Sequence, residues 1–503
     1  MDEIDSMRRT LSASQREVHD IEEEIQRTKQ YLDDLESRKL ALEDYIDDQR
    51  AVLNPIRRVP KEILIHIFSF CVDSAPLDIE TEFRDSLDMT SIQWIVSHVC
   101  SQWRTTAISL CSWLWSHIHV YIDPENKFGG QAMLLALHIR RALSTPLSMY
   151  IRDDGTAGIY SGPGPILGTL LQNSEQWGVL LLSMNIRRVR YFFGGAKPTT
   201  TQLRKLVFFN CDFVDDIDDR GSTFEPCDVF HNSPKLTEVT LIDTIPITHI
   251  SLPYHQLTSL QLWFQSSFGD SFTVRHALDV LRRTQKLVDF QISHHFRAAV
   301  NQPDPGPPVL LENLQSCSLR CLPYLQFSEP EGDGNVFLDH LILPKLNSLL
   351  SIGDLQVHGF AELSNISSML ARSSSHITTL LLTTKDDDEY VIPFLRTMQS
   401  SLHALRIIKS PCTDISQDFI TFLTPKDSAI ALPKLHMLIL QGNMAFDAIS
   451  FVDMIDSRLS STSCTMEVTL DCVSRNVPDN AEAFERFSVD PFFQKRVKWT
   501  FRI

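Results

Sequence analysis

Several things are missing from this sequence, and each absence removes a class of function. In 503 residues there is no uninterrupted apolar stretch of roughly 18–20 residues, the length a helix needs to cross a bilayer. The opening Met1-Asp2-Glu3 lacks the basic and apolar regions of a secretory signal, so the expectation is an intracellular chain, cytoplasmic or nuclear, with no membrane partner. No Lys/Arg-rich run occurs and the formal net charge is −17, whereas nucleic-acid phosphates call for a positive face; no nucleic-acid partner is expected. Ten cysteines are scattered with no CxxC pair, the closest two being Cys317 and Cys321. Paired zinc spacings are therefore absent, and reduced, buried thiols are expected. There is no GxGxxG after a strand, no phosphate-binding loop, no HExxH and no GxSxG, which predicts a non-catalytic chain without cofactor or metal. The run Asp386-Asp387-Asp388-Glu389 points four acids in different directions and reads as a solvated loop. His294-His295 has no neighbouring ligands in sequence, and Arg187, Arg188 and Arg190 are too few for a phosphate track.

What is present is ordinary globular composition, 43% hydrophobic, with a marked local bias at the N-terminus. Residues 1–50 contain neither Gly nor Pro and hold 15 Asp/Glu against 8 Lys/Arg, a local charge of −7 (8 minus 15). Counting sevens from Ile4 gives Ile4, Leu11, Val18, Ile25, Leu32, Lys39, Ile46 and Leu53. The companion series is Met7, Ser14, Ile21, Thr28, Leu35, Leu42 and Gln49. A strict seven-residue apolar repeat keeps one seam of a helix facing a partner helix. In a parallel pair the flanking positions juxtapose Glu3 with Arg8, Glu24 with Lys29 and Arg38 with Glu43, and only Glu17 with Glu22 repels. Two readings stand together: a coiled-coil homodimer through residues 4–53, or an amphipathic helix folding back on its own domain.

The helix is predicted to stop at Asn54-Pro55, because a residue before proline is pushed out of helical space. From Pro55 to Phe70 the chain reads Pro-Ile-Arg-Arg-Val-Pro-Lys-Glu-Ile-Leu-Ile-His-Ile-Phe-Ser-Phe, with Pro60 fitted to the first turn of a new helix. An acidic insert from Asp73 to Thr90 precedes Trp94, Val99-Cys100-Ser101-Gln102-Trp103-Arg104 and Trp113-Leu114-Trp115. So small a unit has more apolar surface than it can bury alone, which implies a partner or a docked neighbour. The pattern Val-Pro-x-Glu-Ile-Leu-x-x-Ile-Phe, then Val-Cys-x-x-Trp-Arg, then Leu-Trp resembles an F-box. The likeness is nearest to the large F-box families of mushroom-forming fungi, where a heptad helix runs into Pro-Ile-Arg-Arg. It covers residues 54–120. The usual Leu-Pro opening is Val59-Pro60 here, and the insert is longer than a compact F-box needs.

The resemblance implies a three-helix module that binds the Skp-type adaptor of cullin–RING ubiquitin ligases. Carried onto this sequence, Pro60, Ile63, Leu64, Ile67 and Phe68 are expected in or beside the adaptor groove, with Val99, Cys100 and Trp103 from the second motif. Cys100 has no basic residue at a helical offset to lower its pKa, so a small packed hydrophobe is expected rather than a nucleophile. Trp115 is expected in the core.

The remaining chain repeats. Leu-x-x-Leu-x-Leu, with other apolar residues allowed, starts at Leu203, Leu236, Leu257, Leu287, Leu314, Leu346, Ile377, Leu402 and Leu435. Eight intervals over 232 residues give a mean of 29, the upper end for leucine-rich repeats. Short strands such as Val239–Leu241, Leu260–Leu262 and Leu438–Leu440 alternate with helical stripes at Val274/Ala277/Leu278/Leu281, Leu363/Ile366/Met369/Leu370 and Ile415/Phe419/Phe422/Leu423. The Asn or Cys that closes such repeats appears only as Cys211 and Asn443. An irregular open α/β sheet is the competing fold. Residues 121–200 read as entry units and the tail from Asp490 to Ile503 as a capping element.

The expected architecture is α/β: a coiled-coil helix over 1–53, an F-box over 54–120, and over 121–503 an irregular leucine-rich-repeat-like solenoid with a parallel sheet. Positions alternating with the buried strand residues face the recognition surface, which puts Phe209, Glu238, Trp263, Asp289, Arg320 and Arg406 forward as contacts for a protein substrate. A one-residue slip turns Trp263 inward instead. The functional expectation is a substrate-recruiting subunit of a Skp–cullin–F-box ubiquitin ligase, reaching cullin and RING protein through the adaptor. A protein-interaction scaffold outside any ligase is the alternative.

Overall fold

The structure, a computed structural model, describes all residues except Met1, Asn54, 72–84, 123–127, 154–163, 195–197, 211–226, 244–246, 248–249, 265–271, His295, 297–303, 321–333, 353–361, Pro411, 426–429, 462–464, 473–477 and Ile503. Cys211, Cys321, Cys464, His295 and most of the acidic insert lie outside the described residues. The chain divides into two compact units, Met1–Ser74 with Ile92–Leu114, and Ala75–Ser91 with Trp115–Ile503. Among the described residues no helix is long and apolar enough to cross a membrane.

In the first unit, helix α1 spans Asp2–Leu53 without interruption. Good helix formers and pairs one turn apart hold it, such as Arg27–Glu23 at 2.9 Å and Lys39–Glu43 at 3.6 Å. Every described side chain on it is exposed. The heptad residues, Ile4 through Leu53, are among them, so the seam is not packed within its own unit. Pro55–Arg58 makes one 3-10 turn, and α2 follows at Lys61–Ser69. Ile63 and Leu64 donate their N–H groups to the Pro60 carbonyl, both at 3.1 Å, so the proline starts the helix it cannot join from within. Helices α3 (Ile92–His98) and α4 (Ser101–Ser109) complete the described core of this unit. Leu64 and Phe68 are buried, and the Phe68 ring meets Trp103 edge-on at 5.2 Å. Gln102 Nε2 donates to the Val59 carbonyl at 2.9 Å and Arg104 Nε to that of Ser97 at 2.9 Å, pinning the linker and the α3–α4 corner.

The second unit is a sheet of parallel strands. In chain order they are β1 (His117–Tyr121), β2 (Leu147–Arg152), β3 (Trp177–Ser183), β4 (Lys205–Phe209), β5 (Glu238–Ile242), β6 (Ser259–Trp263) and β7 (Asp289–Ser293). Next come β8 (Val309–Leu310), β9 (Ser316–Arg320), β10 (Leu341–Ile342), β11 (Ser348–Ile352), β12 (Thr379–Thr384) and β13 (Ala404–Lys409). The last are β14 (Asp414–Ser416), β15 (Met437–Ala445), β16 (Met466–Cys472) and β17 (Val497–Arg502). Short β8 and β10 pair with each other and β14 joins the end of β15; the rest stack in chain order with no reversal. A doubly wound sheet, whose order reverses at a switch point, is thereby excluded.

Register explains the repeat. Leu206, Val239, Leu260, Phe290, Cys317 and Leu349 form one row across neighbouring strands, and Phe208, Leu241, Leu262, Ile292 and Leu319 a second. All of these are buried, as are all nine repeat-start residues. Both rows belong to the helix-covered side, where Phe290 meets Phe337 of helix Gly334–Asp339 and Trp499 meets Phe451 of helix Ala448–Ser461. The predicted stripes recur on helices Val274–Arg283 and Leu363–Ser373, whereas Ile415 falls in β14 and only Phe419 and Leu423 of its set are buried in helix Gln417–Leu423. Between repeats, one carbonyl accepts two successive amides of the next unit. Thr237 O takes Thr258 and Ser259, Thr258 O takes Val288 and Asp289, and Asn347 O takes Thr378 and Thr379. The tail contributes β17, the last strand, whose Trp499 ring packs against Phe484 and Phe487.

Four expectations change. The boundary moves from 120 to Leu114, because β1 pairs with β2 and Trp115 packs edge-on against His138 at 5.1 Å. The end of the insert belongs to the sheet unit: Ser86 N donates to His119 O at 2.9 Å and His138 Nε2 to Ser86 O at 3.1 Å. The acidic run is not wholly a solvated loop: Asp387 and Glu389 are exposed, but Asp388 is buried against Lys409 Nζ at 3.0 Å and accepts from Ser416 N at 2.7 Å. Its helical start at Asp388 turns that carboxylate inward. Among the cysteines, Cys412 is exposed and Cys71 and Cys100 are half-buried, while burial pushes the Cys317 thiol up to about 12.

Two ionisable groups beside Ser86 oppose each other in pH. Burial, reinforced by Arg141, pulls His138 down to about 4, so between that value and the ordinary 6.5 only the unfolded chain binds the proton. Stability from this group falls as pH drops through the window, on the order of 3 kcal/mol in total. Burial, reinforced by Asp88, lifts Asp85 to about 6 from 3.8, so its contribution falls as pH rises across nearly the same range. Asp85→Asn is expected to expose the histidine alone, with the melting temperature of the full chain dropping steadily from pH 6.5 to 4; a flat profile in that variant refutes the assignment.

Candidate functional site

Two surfaces collect the residues that sequence reasoning put forward. The first lies on the helical unit. Helix α2 is apolar on two sides: Leu64 and Phe68, one turn apart, are buried, whereas Ile63 is 51% exposed, Ile67 38% and Phe70 77%. Val99 and Ile95 are about half exposed as well. Trp103 is buried against Phe68, and Cys100 sits half-buried at the start of α4, its carbonyl accepting the Arg104 N–H at 2.9 Å. Pro60 is exposed. The eight residues thus separate by physical role. Leu64, Phe68 and Trp103 build the unit's interior, a correction to their placement at a contact surface, because an i, i+4 pair on one stripe must fill the core before the module can fold. Pro60, Ile63, Ile67 and Val99 remain outside. Phe70, Ile92 and Ile95 join that exposed apolar set and were not singled out from sequence; the i, i+3/i+4 spacing from Ile63 and Ile67 to Phe70 is the signal that identifies the first of them.

The second surface is the side of the sheet opposite the helix-facing rows. Phe209, Glu238, Trp263, Asp289, Arg320 and Arg406 all occupy strand positions that alternate with the buried rows, so the six share that side. Trp263 is not turned inward: β6 alternates half-buried Ser259, Gln261 and Trp263 with buried Leu260 and Leu262. The six do not form one pocket. Seven strand-to-strand steps separate β4 from β13, a distance of about 34 Å at 4.8 Å per step. Locally, Lys205 faces Glu238 at 3.7 Å, Ser259 donates to Asp289 at 3.2 Å, and Arg406 donates to Gln441 at 3.4 Å. Trp263 and Arg320 do come together: both are in register with Ser293 of β7, and the guanidinium lies 5.8 Å from the indole centroid. Such a cation over an aromatic face is attractive and holds both groups in place.

Elsewhere the polar residues act within the fold. Arg188 and Asp153 form a buried pair at 2.6 Å. Arg458 donates to the carbonyls of Leu423, Ala431 and Leu432 at 2.6–2.8 Å. His294 is enclosed by Phe264, Phe272 and Phe296 and hydrogen-bonds the Phe272 carbonyl at 3.0 Å. Among the described residues no three His, Cys, Asp or Glu side chains gather as a metal site. No protein-family model matches the chain, and no curated protein does.

The division of α2 into a packed and an open stripe is directly measurable. Phe68→Ala is expected to destabilise the first unit by about 3–5 kcal/mol, and Ile67→Ser by less than about 1 kcal/mol. Thermal unfolding followed by near-ultraviolet circular dichroism, which reports the Trp103 environment, checks both; equal losses would contradict the division.

Proposed function

We propose that this chain is the non-catalytic, substrate-recruiting F-box subunit of a Skp–cullin–F-box ubiquitin ligase. In this reading the helical unit docks on the Skp-type adaptor and, through it, on cullin and RING protein. The sheet unit acts as a leucine-rich-repeat-like solenoid whose side opposite the helix-facing rows holds a protein substrate. The observation that carries the proposal is the open apolar stripe of Ile63 and Ile67 on α2 continued by its C-capping Phe70, in the segment whose Val-Pro-x-Glu-Ile-Leu pattern resembles an F-box. Apolar side chains exposed together on a small, otherwise packed module favour a protein partner. The chain-order parallel stack with its 29-residue period supports the second half of the reading.

Chemistry is then supplied elsewhere in the assembly. The chain's contribution is proximity: a bound substrate sits at high effective concentration near the ubiquitin-charged E2 enzyme. Helix α1 adds a second copy of the chain. Its heptad seam is exposed along its length, and the charged flanks pair favourably in parallel register, which makes a homodimer with two recognition surfaces the arrangement it serves.

Two experiments on the full chain test these proposals. Co-purification with the adaptor is expected for the wild type and to fall by more than about 10-fold for Ile63→Glu with Ile67→Glu, a pair that leaves the packed stripe intact; absence of wild-type capture defeats the ligase reading. Light scattering is expected to give twice the 57.4 kDa chain mass, and Ile25→Glu with Leu32→Glu to halve it. A wild type measured at the single-chain mass rejects the coiled coil.

A further inference from the structure

One patch on the side of the sheet opposite the helix-facing rows has polar atoms that the fold itself leaves unused. Trp263 Nε1, Gln291 Nε2, Ser318 Oγ and Arg320 Nε are all buried, and none has a hydrogen-bond partner. They come from three neighbouring strands. Trp263 and Arg320 flank Ser293 in one row, and Gln291 and Ser318 are directly opposed in the row two residues earlier. Sheet spacing confines the four to a patch about 10 Å across and about 7 Å along the strands. Ser318 is only 6% exposed, so its hydroxyl is not idle surface. Buried polar groups are paired in the great majority of cases, and four unpaired together need a reason. A ligand that supplies the missing acceptors is that reason.

The geometry points to a carboxylate presented by a protein segment as the group this patch binds. The indole, amide and guanidinium nitrogens only donate, and the hydroxyl can donate, so the ligand must accept. Arg320 brings a single positive charge to the patch; the neighbouring described cations on this side, Lys205 three strand steps from β7 and Arg406 four, are engaged by Glu238 and Gln441. One positive charge in a planar fork matches one negative charge on a planar, two-oxygen group. A phosphoryl group brings roughly −1.5 to −2 and would sit beside Asp289, two residues from Gln291 on the same strand, so charge balance disfavours it. The half-exposed Trp263 ring, held under the Arg320 guanidinium, offers a flat apolar wall to the residue next to the carboxylate. This inference deepens the substrate-binding half of the proposed function and rests on it, and it names the substrate's chemistry: an acidic segment or a free C-terminus.

The test uses purified full chain and short fluorescent peptide pools of randomised neutral sequence. One pool is amidated with a single fixed internal Glu, one has a free C-terminal carboxylate and no Asp or Glu, one carries phosphoserine in place of the Glu, and one is amidated and uncharged. At least one carboxylate pool is expected to bind more than about 10-fold tighter than the uncharged pool, with Arg320→Gln erasing the difference. Which carboxylate pool binds separates the side-chain from the C-terminal source. Trp263→Phe, which keeps the ring and removes the N–H, is expected to weaken binding severalfold without lowering the melting temperature. Equal binding of carboxylate and uncharged pools overturns the inference, as does tighter binding of the phosphoserine pool or unchanged affinity in both variants. Adaptor capture, measured on the same proteins, is independent: its loss with carboxylate binding intact defeats the ligase reading alone, and the reverse defeats only the carboxylate site.

Discussion

The structure depends on one recurrent backbone arrangement through the middle of the sheet, from β4 to β13: the carbonyl just before a strand accepts two successive amides from the unit after it. Thr237, Thr258, Val288, Gln315, Asn347, Thr378 and His403 all play this part. Because buried peptide groups must find partners, the contact fixes where each strand begins relative to its neighbour. It also forces the next unit to lie alongside in the same direction. Parallel pairing in chain order, in-register apolar rows and the 29-residue period all follow from that placement. A residue such as Leu260 or Leu349 is therefore a rung with neighbours on both sides, and truncating it removes contacts to both adjacent strands and leaves a cavity between them.

Once the rows at Leu206 and Phe208 and their equivalents commit one side of the sheet to helices, the alternating positions carry fewer packing demands, although Val207 packs with Tyr150 and Leu181 and Ile242 is buried. They are free to vary in chemistry, and they do: Lys205 with Glu238, Ser259 with Asp289, Trp263 under Arg320. Buried ions stay on the folded side of this division. Lys409 with Asp388 and Arg188 with Asp153 are pairs enclosed together, and Arg458 satisfies carbonyls where the chain turns through Leu432 at φ 52°. A charge deprived of its partner in such a setting is strongly destabilising, so these pairs fix the conformations they join.

The helical unit follows the opposite logic. With few residues to fill a core, it uses Leu64, Phe68 and Trp103 for packing and leaves Ile63, Ile67 and Phe70 open. Stability and recognition are carried by alternate stripes of one nine-residue helix, which is why neighbouring residues in a single motif differ so sharply in role.

Much of this was readable beforehand. The heptads of α1 and all nine repeat starts follow from period, because side-chain direction is tied to 3.6- and 2-residue geometry, and the start of α2 follows from Pro60. The face of Trp263 stays open to a one-residue slip until the register of β6 decides it. Period could not say which apolar stripe of α2 packs, nor that Asp388 in an acidic run points inward to Lys409, nor that the segment around Ser86 pairs with β1. Each of those depends on a residue distant in sequence, Trp103, Lys409 and His119 respectively. Nor could it show that Gln291, Ser318, Trp263 and Arg320 lie together with unused donors, since they are brought side by side only by strand register. The sequence determined the units, their direction and their buried faces, because local periodicity encodes these. The tertiary structure decided which exposed groups meet and which charges are enclosed, because those are set by long-range pairing.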